Sequence, residues 1–133
     1  MSKIESREGI IKVSEEKIFN FLSDFRNFSE FIPGDKVKNF NATPDSCLFE
    51  LNGIGKFGFK ILEKNPFTYI KFSSHGHSTL SIYLSVNIMK QDVNSCRVKI
   101  TLEPDVNPIV FAMIKSTLQN LADTMIMQLE KIF

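Results

Sequence analysis

Tryptophan is absent from this chain, and its 133 residues include only two cysteines and two histidines. Cys47 and Cys96 are too few for a disulfide framework. Both stand in alternating, strand-like runs, so two reduced, buried thiols are the simpler reading. Neither carries a nucleophile signature. His75 and His77 flank one glycine, but the sequence places no third ligand beside them, so no metal site is expected. A surplus of either charge is missing too. Sixteen basic residues against fifteen acidic ones leave a formal charge of +1. No strongly basic face follows, and no nucleic-acid partner is expected. No apolar run approaches the roughly 20 residues of a membrane span, so stable membrane insertion is not expected. The opening Met1 to Glu8 has no apolar signal region, and a cytoplasmic location is expected.

Hydrophobic residues are plentiful, at 43%, and thirteen of the residues are phenylalanine. That composition can bury a core, and the length suits one domain over residues 1–133. Residues 3–13 are β-rich. Ser14 then makes a good N-cap, with Glu15 and Glu16 in the first turn, where negative charge suits the helix dipole. Ile18, Phe19, Phe21 and Leu22 follow at helical spacing. Asp24 ends this helix. A second short one carries Phe25, Phe28, Phe31 and Ile32 on one face. Pro33-Gly34-Asp35 is a stop and turn.

From Lys36 the period changes to two. Cys47, Phe49 and Leu51 alternate with Leu48 and Glu50, and Phe57, Phe59 and Ile61 with Lys56, Gly58 and Lys60. Asn65-Pro66 marks a turn before Ile70 and Phe72. After a loop at residues 74–78, Leu80, Ile82, Leu84, Val86 and Ile88 form the cleanest alternation. Asp92 to Ser95 turns the chain into Cys96, Val98, Ile100 and Leu102. One-sided alternation predicts an antiparallel sheet with a wet face and a buried face. The stretch Gly53-Ile54-Gly55-Lys56-Phe57-Gly58 is glycine-rich. A phosphate cradle needs a helix directly after it, and a strand follows instead. A hairpin turn with a close backbone approach is expected there. No cofactor is expected.

Residues 108–133 form one long amphipathic helix, about 39 Å at 1.5 Å per residue. Asn107 is its predicted N-cap and Pro108 its first residue. Its inward stripe is Phe111, Ile114, Leu118, Leu121, Met125, Leu129 and Ile132. Lys115, Gln119, Asp123 and Glu130 fall mainly on the far side. A single helix must then cover one face of a sheet of about seven strands, with two short N-terminal helices beside it. This is an α+β arrangement.

This order of elements resembles the helix-grip proteins, the START/Bet v 1-like (SRPBCC) superfamily, which includes polyketide cyclases and dehydrases, lipid-transfer domains and coenzyme Q-binding proteins. Ile10 to Phe28 carries the likeness best. A strand, a capped turn, a helix of the form Glu-Lys-Ile-Phe-Asn-Phe-Leu-Ser-Asp and an aromatic short helix are similar to the opening of many members. The long last helix is the second match. Members often carry a tryptophan near the end of the second short helix, where this chain has Phe31. The resemblance implies a curved sheet gripping the last helix, with a cavity between them.

Phe49, Phe57, Phe59 and Phe72 fall on predicted inner strand faces, as do Ile82 and Leu84. Phe111, Ile114, Leu118 and Leu121 face them from the helix. These residues are the candidate cavity lining, and they suit a hydrophobic small molecule such as a lipid, an isoprenoid or an aromatic, polyketide-like compound. A core packed solid would argue against it. The alternative is a cyclase- or dehydrase-like enzyme using the same cavity, which needs a titratable group inside. His75, His77, Tyr69, Tyr83 and Arg7 are the suppliers, and none stands out as catalytic. Glu50, Glu63, Asp92 and Glu103 lie on the wet side or in turns, so no inward acid–base pair is predicted. A third reading is an interaction module. Residues 109–114 are apolar all round the helix and offer a face for a partner or a homodimer.

Overall fold

The computed structural model describes residues 2–32, 34–35, 37–76 and 78–133. The predicted turn at Pro33 and the second histidine, His77, therefore lie outside or at the margin of the described residues. The β-rich start forms two short pieces, β1 (Ile4–Glu5) and β2 (Gly9–Ile11). Both pair antiparallel with β8 (Ser95–Pro104). Ser6 divides them. Its N–H donates to the Ile100 carbonyl at 2.8 Å, and its hydroxyl accepts the Ile100 N–H at 2.9 Å. One residue thus satisfies both groups of its partner, and two residues, Arg7 and Glu8, then stand against Lys99 alone before Gly9 pairs with Val98, a bulge in the strand. Arg7 and Glu8 consequently face solvent and pair with Glu130 and Arg97.

Helix α1 (Glu15–Leu22) starts where the Ser14 hydroxyl accepts the Lys17 N–H. The aromatic short helix is a 3₁₀ turn (Phe25–Asn27) running into a single turn, α2 (Phe28–Phe31). Phe25, Phe28 and Phe31 are all buried. Five hairpin-linked strands follow: β3 (Val37–Ala42), β4 (Ser46–Leu51), β5 (Gly55–Asn65), β6 (Tyr69–Ser74) and β7 (Ile82–Asp92), then β8. The sheet order is β1-β8-β7-β6-β5-β4-β3, with β2 also on β8. Eight strands thus occupy the seven lanes of one curved antiparallel sheet.

The inward alternation sets the register. Leu84, Val86 and Ile88 stand opposite Leu102, Ile100 and Val98, and all six are buried. Arg97 and Lys99 project from the other face. In the glycine-rich stretch, Gly53 takes a left-handed φ of 86° in the β4–β5 turn. A side chain at Gly58 would collide with the His75 carbonyl oxygen and the Leu48 side chain. Those glycines serve a turn and a close approach, as their pattern predicts.

Helix α3 (Pro108–Ile132) begins with the Asn107 side chain accepting the Val110 N–H at 2.9 Å. It packs on β8, β1, β2 and α2. Its buried residues are Leu118, Leu121, Ala122, Met125, Ile126 and Leu129. Phe111, Ile114 and Ile132, placed on the inward stripe by periodicity, are only partly buried. The reason is that α3 packs along the β1/β2–β8 edge, and its first turns, residues 108–117, run beyond the buried region.

The same offset corrects a second expectation. Gln119, Asp123 and Glu130 do not face solvent alone. Gln119 Nε2 donates to the Glu5 carbonyl at 2.8 Å, Asp123 accepts the Arg7 N–H at 2.9 Å, and Glu130 holds the Arg7 guanidinium at 2.6 Å. A helix lying over a sheet edge meets the edge strand with its flank. Gly9 permits the approach, since a Cβ there would stand 2.5 Å from Ile126 Cγ2.

Candidate functional site

Between α3 and the sheet lies a slot. Phe49 and Leu51 of β4, Phe57 and Phe59 of β5, and Ile82 and Leu84 of β7 form its floor. Leu102 of β8 closes one side. Leu118, Leu121 and Met125 of α3 form the roof, and Phe28 and Ile32 flank it from the α2 segment. Every one of these side chains is apolar. Cross-strand pairing explains the floor: Phe49 stands opposite Phe57, and Cys47 opposite Phe59, on the inward parity of β4 and β5. Phe40, Phe49, Phe57 and Phe59 stack in a near-parallel row. Phe49 lies 5.9 Å from both Phe57 and Phe59, and the planes of Phe57 and Phe59 differ by 11°.

The interior is narrower than a hollow. Its cavity volume is about 30 Å³, room for about two waters, within a void of about 430 Å³ that includes the open mouth. The phenylalanines of the floor and the long side chains of α3 border the space that remains. An apolar space this small stays dry.

Solved structures with the same architecture are numerous. A START superfamily protein from Mycobacterium smegmatis superposes with a TM-score of 0.68 at 15% identity, covering 98% of this chain and 99% of that one. A norcoclaurine synthase variant from Thalictrum flavum gives 0.67 at 10% identity, over 96% and 94% of the two chains. The di-domain aromatase/cyclase BexL of the BE-7585A biosynthetic pathway gives 0.74 at 10% identity, over 98% of this chain and 46% of that one. The fold is the START/Bet v 1-like helix grip. No protein-family model matches the sequence, and no curated protein matches it significantly.

Within this helix grip, the structure gathers seven of the sequence-predicted lining residues around the slot: Phe49, Phe57, Phe59, Ile82, Leu84, Leu118 and Leu121. It leaves out three. Phe72 is fully buried, but it is wedged against Phe25 at 5.3 Å and Phe28 at 5.4 Å. The aromatic turn before α2 therefore fills the space beside β6. Phe111 and Ile114 pack only on the margin of the core, for the reason given for α3. Phe28, Ile32, Leu51, Leu102 and Met125 line the slot without having been singled out. Each sits on a predicted inward face, but periodicity says only that a residue points inward, not that it borders a gap.

The polar candidates are placed elsewhere in the helix grip. His75 is exposed and borders a second, open pocket with Asn39, Glu50 and Lys56, whose lining also includes Phe49 and Phe57 of the slot floor. The Tyr69 hydroxyl lies 3.3 Å from Ser85 Oγ, and Lys71 Nζ sits 4.7 Å from the centre of the Tyr83 ring. Register puts these groups on the outward parity of β6 and β7. Arg7 is engaged by Glu130, which holds the guanidinium charged and whose own carboxyl is held below the usual range by the same hydrogen bonds. None of these described groups lines the slot. Burial pushes the Cys47 thiol up to about 12 and the Cys96 thiol up to about 11, and neither borders the slot. No helix among the described residues is long and apolar enough to cross a membrane.

Proposed function

We propose that this helix-grip domain binds an uncharged hydrophobic small molecule in the slot between the sheet and α3, and holds it without catalysing a reaction. The carrying observation is the lining: all twelve residues around the slot are apolar. Such a wall offers no hydrogen bond or charge to orient a reacting group, so a polar ligand would lose its hydration without compensation. An apolar ligand gains roughly 25 cal/mol for each Å² of surface it buries. It enters a dry space, and the lining must part to admit it. Met125 and the leucines of α3 are suited to that, having several rotamers each. A START superfamily protein and an aromatase/cyclase share this fold, which supports the reading at the level of architecture.

Titration with the uncharged dye Nile red tests it. One saturable site with a blue-shifted emission is expected. Leu121→Trp and Leu118→Phe, each filling the slot from the roof, should abolish the site while the circular dichroism spectrum stays native. A wild-type protein with no saturable site overturns the proposal. So does a site that both filled variants retain.

A further inference from the structure

We propose that the outer side of the sheet carries a second binding site, for a neutral carbohydrate, in the open pocket between β3 and the segment that follows β6. It does not rest on the slot reading. The pocket holds about 510 Å³, against about 30 Å³ in the slot, a size that suits a small-molecule site. Its floor is formed by residues 48–50 of β4 and 56–57 of β5. Asn39 and Asn41 of β3 make one rim, and His75 and Gly76 make the other.

Local structure fixes both rims. The register of β3 against β4 shifts between Lys38 and Asn41, and Asn39 there has a left-handed φ of 55°. Asparagine is among the few side chains that tolerate this conformation, and a bulge re-aims a side chain out of the strand's alternation. The Asn39 amide is thereby brought to Glu50, whose Oε2 accepts from Nδ2 at 2.9 Å. The opposite rim is pinned to β5. The His75 N–H donates to the Gly58 carbonyl at 2.7 Å, the Thr79 N–H donates to the Lys56 carbonyl at 2.8 Å, and Ser78 Oγ accepts the Gly58 N–H at 3.0 Å. Gly58 permits this, since a side chain there would strike the His75 carbonyl oxygen and Leu48. Both rims are held before any ligand arrives, which lowers the ordering cost of binding.

The chemistry selects the ligand. The polar side chains are two amides, a carboxylate, an ammonium and an imidazole. Glu50 and Lys56 stand opposite each other, with Lys56 Nζ 4.0 Å from Glu50 Oε1, so their charges offset at the floor. An anionic ligand would meet Glu50, and a cationic one Lys56. A hydroxyl both donates and accepts, so it can serve every one of these partners. Leu48 is 55% exposed among them, an apolar patch that suits the C–H face of a sugar ring. Phe49 and Phe57 are buried, so neither ring is presented for a planar aromatic ligand to stack on. An extended peptide is disfavoured too, because the bulge at Asn39 interrupts the edge ladder that it would extend. A neutral mono- or disaccharide uses both rims and the floor.

The test is an array of neutral and anionic mono- and disaccharides, read with the fluorescently labelled full chain. The tightest neutral sugar is then titrated into isotope-labelled protein and followed by NMR. Shifts are expected at Asn39, Asn41, Gly58 and Gly76, and none at Leu118 and Leu121 of the slot roof. Glu50→Ala and Asn41→Ala should each weaken binding by roughly tenfold, with the rest of the spectrum native. Met89→Ser, an exposed position on β7, should leave binding unchanged. A wild type that binds no sugar overturns the proposal. So does preference for the anionic sugars, binding unaltered in both alanine variants, or shifts confined to the slot.

Discussion

Leu118 and Leu129 lie on one stripe of α3, and both are buried, at 1% and 0% exposure. Only Leu118 borders the slot. Truncating either to alanine removes the same atoms, so the two substitutions separate packing from cavity. Each should destabilise by about 3 kcal/mol, within the range for buried leucines. For a domain of this size that lowers Tm by about 10 °C. The responses to an apolar ligand should then diverge. At Leu118 the deleted carbons join an existing gap of about 30 Å³ and open a space large enough for a single aromatic ring. Toluene at a hundredfold excess over its Kd should restore about 2.7 kcal/mol. Leu129 is fully buried in the core and does not line the slot, so toluene should restore little. Thermal unfolding with and without toluene reads both effects. Equal rescue of the two variants, or none for Leu118→Ala, would refute the reasoning that the slot is a distinct, expandable space.

Three further outcomes are expected. The Arg7 hydrogen bonds lower the Glu130 pKa below 4.5 in the folded state. Their contribution is therefore present above the unfolded value and is lost as pH falls through the folded one, so Glu130→Gln should lower stability at pH 7, make no difference at low pH, and so flatten the acid limb of a stability–pH curve. It should be small, because the pair is half exposed and screened. Phe67 holds a left-handed φ of 67° at the third place of the Asn65–Thr68 turn while its ring meets Phe19 edge-on at 5.7 Å. Phe67→Gly relieves about 1–2 kcal/mol of backbone strain and forfeits a contact of about 1 kcal/mol plus partial burial. Urea unfolding should show a change within about 1 kcal/mol, and a loss above about 3 kcal/mol would contradict that balance. Cys47 and Cys96 should resist Ellman's reagent at pH 8 until the protein unfolds, since both thiols are buried with raised pKa values; prompt reaction of either in the native state would contradict their burial.

The fold was legible where its causes are local. Ser14 and Asn107 announce helix starts because a short polar side chain can accept an orphan N–H only there. The run from Ile82 to Ile88 announces a strand because period two has no other use. The position of α3 over the sheet edge was not legible. It depends on Gly9 admitting Ile126, a contact across more than a hundred residues that no window of sequence contains. From that offset come the partial burial of Phe111 and Ile114 and the bonds that Gln119, Asp123 and Glu130 make to the edge strand. The division of the first strand was missed for a similar reason, since Ser6 acts through Ile100. The candidate site was legible as a list of inward side chains. Which of them border space follows from how the 3₁₀ turn wedges Phe25 and Phe28 against Phe72, and that is decided only in the assembled core.

The staple between the ends of the chain sets the order in which the domain can form. β3 to β7 are neighbours in sequence as well as in the sheet, and hairpins of that kind can close while the chain is still short. β1 and β2 have no partner until β8 has been made, about 90 residues later in the pairing of Gly9 with Val98. Arg7 then waits for Asp123 and Glu130. Such distant pairings close the largest loops and are expected to come late and slowly. Until they do, the inner face of the meander, with its row of phenylalanines, has no roof. The domain is thus most vulnerable to aggregation just before its last helix arrives, and the segment that completes the slot is also the one that ends that exposure.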